Sequence, residues 1–181
     1  RGLLPQIDLI KRVINYQKYC IPMQFANRGA ELVSWQLKDY LTGGRPVELV
    51  LRSLPSEEPW PFTLAFDDED LTYLADEALF RPSHNELRLS GSPETLTFNY
   101  QDDSGFSIRK TFTFDPATSP FVLRLTVEAR VGNEVLHPAV QWGPGLGGVE
   151  GGDSMFAFRQ GPRGLMYGRI SEADGLLSAD P

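Results

Sequence analysis

A length of 181 residues, with 41% apolar and 23% charged side chains, is that of one ordinary globular domain with a substantial core, and excludes a chain too polar to fold. A formal net charge of −7 with no long Lys/Arg cluster argues against a phosphate-tracking, nucleic-acid-binding surface. The one cysteine, Cys20, excludes an intramolecular disulfide and any multi-cysteine metal site.

Seventeen glycines and fourteen prolines punctuate short runs rich in Thr, Phe, Val and Leu, a composition that predicts an all-β fold with many turns. Residues 1–18 read as an irregular or short-helix lead-in. Leu3, Leu4, Ile7, Ile10, Val13 and Ile14 approach helical spacing, and Pro5 limits it. From residue 19 to 181 the chain reads as a single β-sandwich domain with no linker or fixed-period repeat. Cys20, between Tyr19 and Ile21, reads as a buried structural thiol.

Tyr19 to Ala26 and Ala30 to Tyr40 predict a hairpin around Asn27-Arg28-Gly29, because Asn and Gly tolerate positive φ. Val33, Trp35 and Leu37 fall on one face of the second strand and Ser34, Gln36 and Lys38 on the other. Pro22 puts the first strand at an edge or a bulge. A turn at Thr42 to Pro46, a strand at Val47 to Leu51, a proline-rich surface loop at Leu54 to Pro61 and a strand at Phe62 to Phe66 follow. Asp67-Asp68-Glu69-Asp70 lacks the spaced ligand pattern of a calcium loop and reads as a solvated loop. Leu71 to Phe80 fits a strand or a helical turn equally.

From Glu86 the pattern sharpens. Leu87 and Leu89 begin a strand that turns at Ser90 to Pro93. Leu96, Phe98 and Tyr100 alternate with polar neighbours up to a loop at Gln101 to Gly105. Phe106, Ile108, Phe112 and Phe114 return on one face, with Lys110 the single charged intruder. Asp115 to Pro120 turns again. Phe121, Leu123, Leu125, Val127, Ala129 and Val131 then alternate strictly against Arg124, Thr126, Glu128 and Arg130. Three long strands in a meander, each burying one face, predict the core. A strand at Leu136 to Trp142, a glycine-rich loop at Gly143 to Ser154, short strands at Met155 to Phe158 and Leu165 to Ile170, and a polar tail from Ser171 complete the reading. Long antiparallel strands without βαβ alternation imply two packed sheets.

Three pieces in order carry a family resemblance. Asn27-Arg28-Gly29-Ala30 with Leu32, Ser34-Trp35, Leu37 and Tyr40 resembles the opening of the periplasmic domain of the YidC membrane insertases. Asp103-Ser104-Gly105-Phe106 leading to Lys110-Thr111-Phe112-Thr113-Phe114 resembles that domain's central hairpin. Trp142-Gly143-Pro144-Gly145-Leu146-Gly147 is similar to the loop after its next strand. The resemblance implies a large twisted antiparallel β-sandwich of supersandwich, galactose-mutarotase-like shape, of which the chain covers about the first two-thirds. By that resemblance either the closing strands and terminal helix lie beyond Pro181, or the chain is a shorter variant of the family. It further implies an extramembrane piece of a multi-pass protein at the periplasmic face of the bacterial inner membrane. This fits the absence of any apolar stretch near the ~20 residues a bilayer span needs. The implied role is accessory and non-catalytic, in contact with the Sec translocon, notably SecDF, and with nascent membrane proteins.

The residue types that carry chemistry offer little beside this. Gly143-x-Gly145-x-x-Gly148 matches the dinucleotide spacing, but Pro144 and Gly151-Gly152 deny it the helix that the pyrophosphate needs. His84 and His137, with a carboxylate such as Glu150, are the residues a mutarotase-like sugar-active domain or carbohydrate-binding module would use; this is the alternative function. The mutarotase Asn-His pairing is missing, since His84 precedes Asn85 and His137 precedes Pro138. Trp35 and Trp142 read as core, and Trp60, between Pro59 and Pro61, as the exposed aromatic contact. No catalytic, cofactor-binding or metal-ligating residue is assigned, and no cofactor is expected.

Overall fold

The structure, a computed structural model, describes residues 22–50, 59–117 and 122–142. The lead-in, Cys20, Glu150, the glycine-rich loop and the strands expected after it lie outside the described residues. Ten strands and one helix follow in chain order: β1 Met23–Phe25, β2 Leu32–Thr42, β3 Arg45–Glu48, β4 Thr63–Ala65, α1 Glu69–Glu77, β5 Arg81–Pro82, β6 Glu94–Gln101, β7 Phe106–Phe114, β8 Leu123–Val131, β9 Glu134–Leu136 and β10 Ala139–Gln141. They form an antiparallel all-β sandwich. One layer holds the sheet β5-β6-β7-β8-β9, and the other is built from β1-β2-β3 and the pair β4-β10.

The expected meander is the core. On β7 the residues alternate strictly between buried and not, from Phe106 to Phe114. Opposite them lie Leu96 and Phe98 of β6 and Leu125 and Ala129 of β8. Phe25, Phe98, Phe106 and Phe112 are at most 1% exposed, and burying each contributes about 1.5–3 kcal/mol relative to leaving it in water. Phe112 stands at the centre, its ring 4.6 Å from Phe25, 5.3 Å from Phe62 and 5.9 Å from Phe98, so it joins the two layers. Tilted and edge-on pairs of this kind add to area burial.

The other layer departs from simple alternation. Met23 lies opposite Trp35, but a one-residue shift after Gln24 sets Phe25 opposite Leu32 and leaves Val33 unmatched, a β-bulge on β2 where it faces the edge strand β1, the strand that Pro22 precedes. As a result β2 is covered on both faces. Leu32 and Ser34 are fully buried, while Trp35 and Leu37 pack half-buried against the core. Ser34 is tolerated inside because its hydroxyl donates to Glu48 Oε2 at 2.5 Å, and Glu48 Oε1 accepts the Trp35 and Val50 N–H groups. The carboxylate takes the place of a ladder partner. β3 begins earlier than Val47 because Gly43 and Gly44, at φ +58° and +77°, close a two-residue hairpin.

Three further expectations are corrected. The acidic run is solvated as expected, but only Asp67 and Asp68 lie outside a helix, and Glu69 and Asp70 open one. Asp68 caps α1, its Oδ1 accepting the N–H groups of Asp70 and Leu71 at 2.8 and 3.2 Å, and Glu69 and Asp70 complement the helix dipole. This resolves residues 71–77 as helix. Leu87 and Leu89 are buried and alternate with exposed neighbours but join no ladder; the strand beside β6 is β5. The strand expected at Leu136 to Trp142 breaks at His137-Pro138. β9 pairs with β8, and β10 pairs with β4 in the opposite layer, since Pro138 cannot donate to a continuing ladder. No helix among the described residues is long and apolar enough to cross a membrane.

Candidate functional site

The Asn27–Gly29 turn is held by two other parts of the chain, the segment 77–80 at the end of α1 and Lys110 of β7. Phe80 N–H donates to Asn27 O and Gly29 N–H to Ala78 O, both at 2.9 Å, and the Arg28 guanidinium pairs with Glu77. Gly29 O accepts from Lys110 Nζ at 2.5 Å. Glycine is required at position 29: φ is +63°, and a Cβ there would stand 2.7 Å from Glu31 Oε1. The second acceptor of Lys110 Nζ is Phe62 O, at 2.7 Å, and Phe62 itself has φ +71°. The charged intruder on the apolar face of β7 is therefore the tie between two tight turns of the opposite layer. Its ammonium also lies 5.5 Å from the centre of the Phe80 ring.

Burial sets the charge states around this tie. Glu31 is pushed up to about 7 by burial, against the pull of Lys110 and with Asp76 adding repulsion. Asp76 is pushed up to about 6 by burial, again opposed by Lys110, and Lys110 is pushed down to about 8 by burial, against Glu31 and Asp76. Folded Glu31 keeps its proton up to about pH 7, whereas the unfolded chain releases it near 4.5. The folded state thus binds more protons in that window, and stability falls as pH rises from about 4.5 to 7. Glu31→Gln removes this term. The difference in urea midpoint between the variant and the parent chain should grow in the variant's favour from pH 5 to 7.5. A constant difference over that range contradicts the assignment.

The other face of the same strands carries the groove. Alternation that sends Phe98, Ile108 and Ala129 inward sends Asn99, Arg109 and Glu128 outward, and the register sets Arg81, Asn99, Arg109 and Glu128 side by side across four strands. The next rung carries Gln101, Ser107 and Arg130. These side chains, flanked by Leu79 and Tyr100, line an open groove of about 640 Å³. Arg109 Nε donates to Asn99 Oδ1 at 2.9 Å, and its other amine lies 3.8 Å from Glu128. One end is fixed by the β6–β7 turn, where Asp102 Oδ1 accepts from Ser104 N–H, Ser104 Oγ and Phe106 N–H. These bonds, the Ser104 hydroxyl foremost, hold the Asp102 carboxyl below its usual range. The β8–β9 turn leans on it through Gly132 N–H to Gly105 O at 3.0 Å.

The residues singled out from sequence fall elsewhere. His84, bonded through Nδ1 to Ser83 Oγ at 3.0 Å, and His137 are both exposed and neither lines the groove, so the arrangement needed for sugar chemistry is not brought together. Trp35 and Trp142 do pack together, 6.2 Å between centroids, and each has a buried indole N–H with no partner among the described residues. Trp60 is not the exposed aromatic expected. It is half-buried against the core, because its carbonyl accepts both N–H and Oγ1 of Thr63 and turns the chain inward. Among the described residues no group of three His, Cys, Asp or Glu is placed to hold a metal ion. The groove arginines were missed. They stand at polar positions of alternating strands, and only the hairpin register shows that they meet.

A comparison with curated proteins finds no match. The family model of the YidC periplasmic domain matches residues 19–144, a span that contains the Asn27–Gly29 turn, the meander and the whole groove. This chain belongs to the YidC periplasmic domain family.

Proposed function

We propose that the chain is a non-catalytic binding module of a YidC-type membrane protein insertase, standing at the periplasmic face of the bacterial inner membrane. It holds polypeptide there, a component of the Sec translocon such as SecDF or a nascent membrane protein, and makes or breaks no bond. The observation that supports this is the groove on the outward face of β6, β7 and β8. It is open, rigidly backed by the core meander and lined by side chains that donate and accept hydrogen bonds. A rigid sheet that presents a row of polar side chains offers orientation and specificity without chemistry.

The test places a photoreactive amino acid at Ser107, inside the groove, and at Tyr73, exposed on α1, in the membrane-resident protein. Adducts from position 107 that mass spectrometry identifies as a translocon subunit or a nascent membrane protein are expected. Absence of such adducts, or equal yield from position 73, overturns the reading.

A further inference from the structure

Resting on that reading, we propose that the groove takes an extended acidic segment of polypeptide, its carboxylates held by Arg81, Arg109 and Arg130. These three guanidiniums share the groove with one carboxylate, Glu128, in a chain whose net charge is −7. The face is therefore a local inversion of the protein's sign. Among the described residues Arg81 and Arg130 have no ion-pair partner, and Arg109 meets Glu128 only at 3.8 Å. The bond from Arg109 Nε to Asn99 fixes the plane of the guanidinium and leaves its terminal amines for a ligand. A planar fork oriented in this way suits a carboxylate, which it binds through two parallel hydrogen bonds.

Spacing favours an extended chain. Neighbouring strands lie about 4.8 Å apart, and residues two apart on one strand about 6.7 Å apart. Arg109 and Arg130, one strand and two residues removed from each other, thus lie about 7–8 Å apart on the diagonal, a separation that their long side chains can close to the ~6.7 Å between alternate side chains of an extended peptide. Leu79, 60% exposed at the rim, supplies apolar contact for a side chain between the acids. An anionic bilayer fits less well, because a plane cannot enter a groove and meets the repulsion of the whole acidic domain. A short segment feels mainly the charges within the ~8 Å screening length.

The probe is a fluorescently labelled peptide of alternating Glu and Val, titrated by anisotropy with the 181-residue chain, beside the same peptide carrying Lys for Glu. The Glu peptide should bind, and weaken as salt is raised; the Lys peptide should not. Arg81→Ala/Arg109→Ala/Arg130→Ala should weaken binding at least about tenfold, with an unchanged circular dichroism spectrum because all three side chains face solvent. Thr126→Ala, on the same face outside the groove, should leave it unaltered. Equal binding by the triple variant, no binding by the parent chain, or arginine-dependent sedimentation with phosphatidylglycerol vesicles in place of peptide binding overturns the proposal. Adducts from position 107 together with failure of the Glu peptide would remove the acidic preference alone and leave the binding module standing.

Discussion

Lys110→Met should lower the free energy of unfolding by about 3–5 kcal/mol at pH 7, and the melting temperature by roughly 10 °C for a chain of this size. Methionine fills the volume but cannot donate. The carbonyls of Gly29 and Phe62 would lose their partner in a site where Lys110 itself is 1% exposed, and an unsatisfied buried acceptor costs about 1–3 kcal/mol. Both carbonyls belong to residues of positive φ, so the loss falls on turns that need an outside hold. Glu31 and Asp76 would lose their nearby cation and retain their protons to still higher pH. Combining the change with Glu31→Gln should therefore cost less than the sum of the single changes. Urea unfolding with an unchanged slope is the measurement. A loss under about 1 kcal/mol would show that the ammonium is not the tie described.

Phe112→Ala should cost about 3–5 kcal/mol by a different route. The residue is wholly buried and its ring touches Phe25, Phe62 and Phe98, from both layers. Truncation opens a cavity that the backbone cannot close, because β7 is pinned by ladders on both sides. Near-ultraviolet circular dichroism should weaken together with stability, and Thr111→Ala, one residue along and facing outward, should shift the midpoint by less than about 0.5 kcal/mol. Equal effects at 111 and 112 would mean that the two faces of β7 are not distinguished by packing.

The contrast between these two neighbours on β7 also shows what sequence can carry. Phe112 was legible, because period-two alternation from Phe106 to Phe114 is a direct imprint of a half-buried strand. Lys110 was legible as an anomaly but not in its role. Its acceptors are main-chain carbonyls 81 and 48 residues away, and no residue type marks a carbonyl that needs a donor. The helix at Glu69–Glu77 is not legible in sequence because Asp68 looks like one charge in a run, whereas its position one residue before the helix makes it a cap. The groove failed to appear for a third reason. Arg81, Arg109 and Arg130 are ordinary solvent-facing residues one at a time, and only pairing across four strands makes them neighbours. The break at Pro138 is legible in the sequence, since a proline inside an apolar run marks the end of a ladder.

That break bears on how the molecule comes apart. Trp35, Trp60 and Trp142 all sit on the side of β2, β4 and β10, and the five-stranded sheet contains no tryptophan. Indole emission therefore watches one layer of the described fold directly and the other only through the contacts between them. Yet the backbone steps from one half to the other within the two residues between Leu136 and Ala139, and Trp142, just past β10, meets the Phe62 ring, which packs edge-on against Phe112 of β7, so a disturbance of the five-stranded sheet reaches an indole. A fluorophore on one side thereby serves as a gauge for the integrity of the whole.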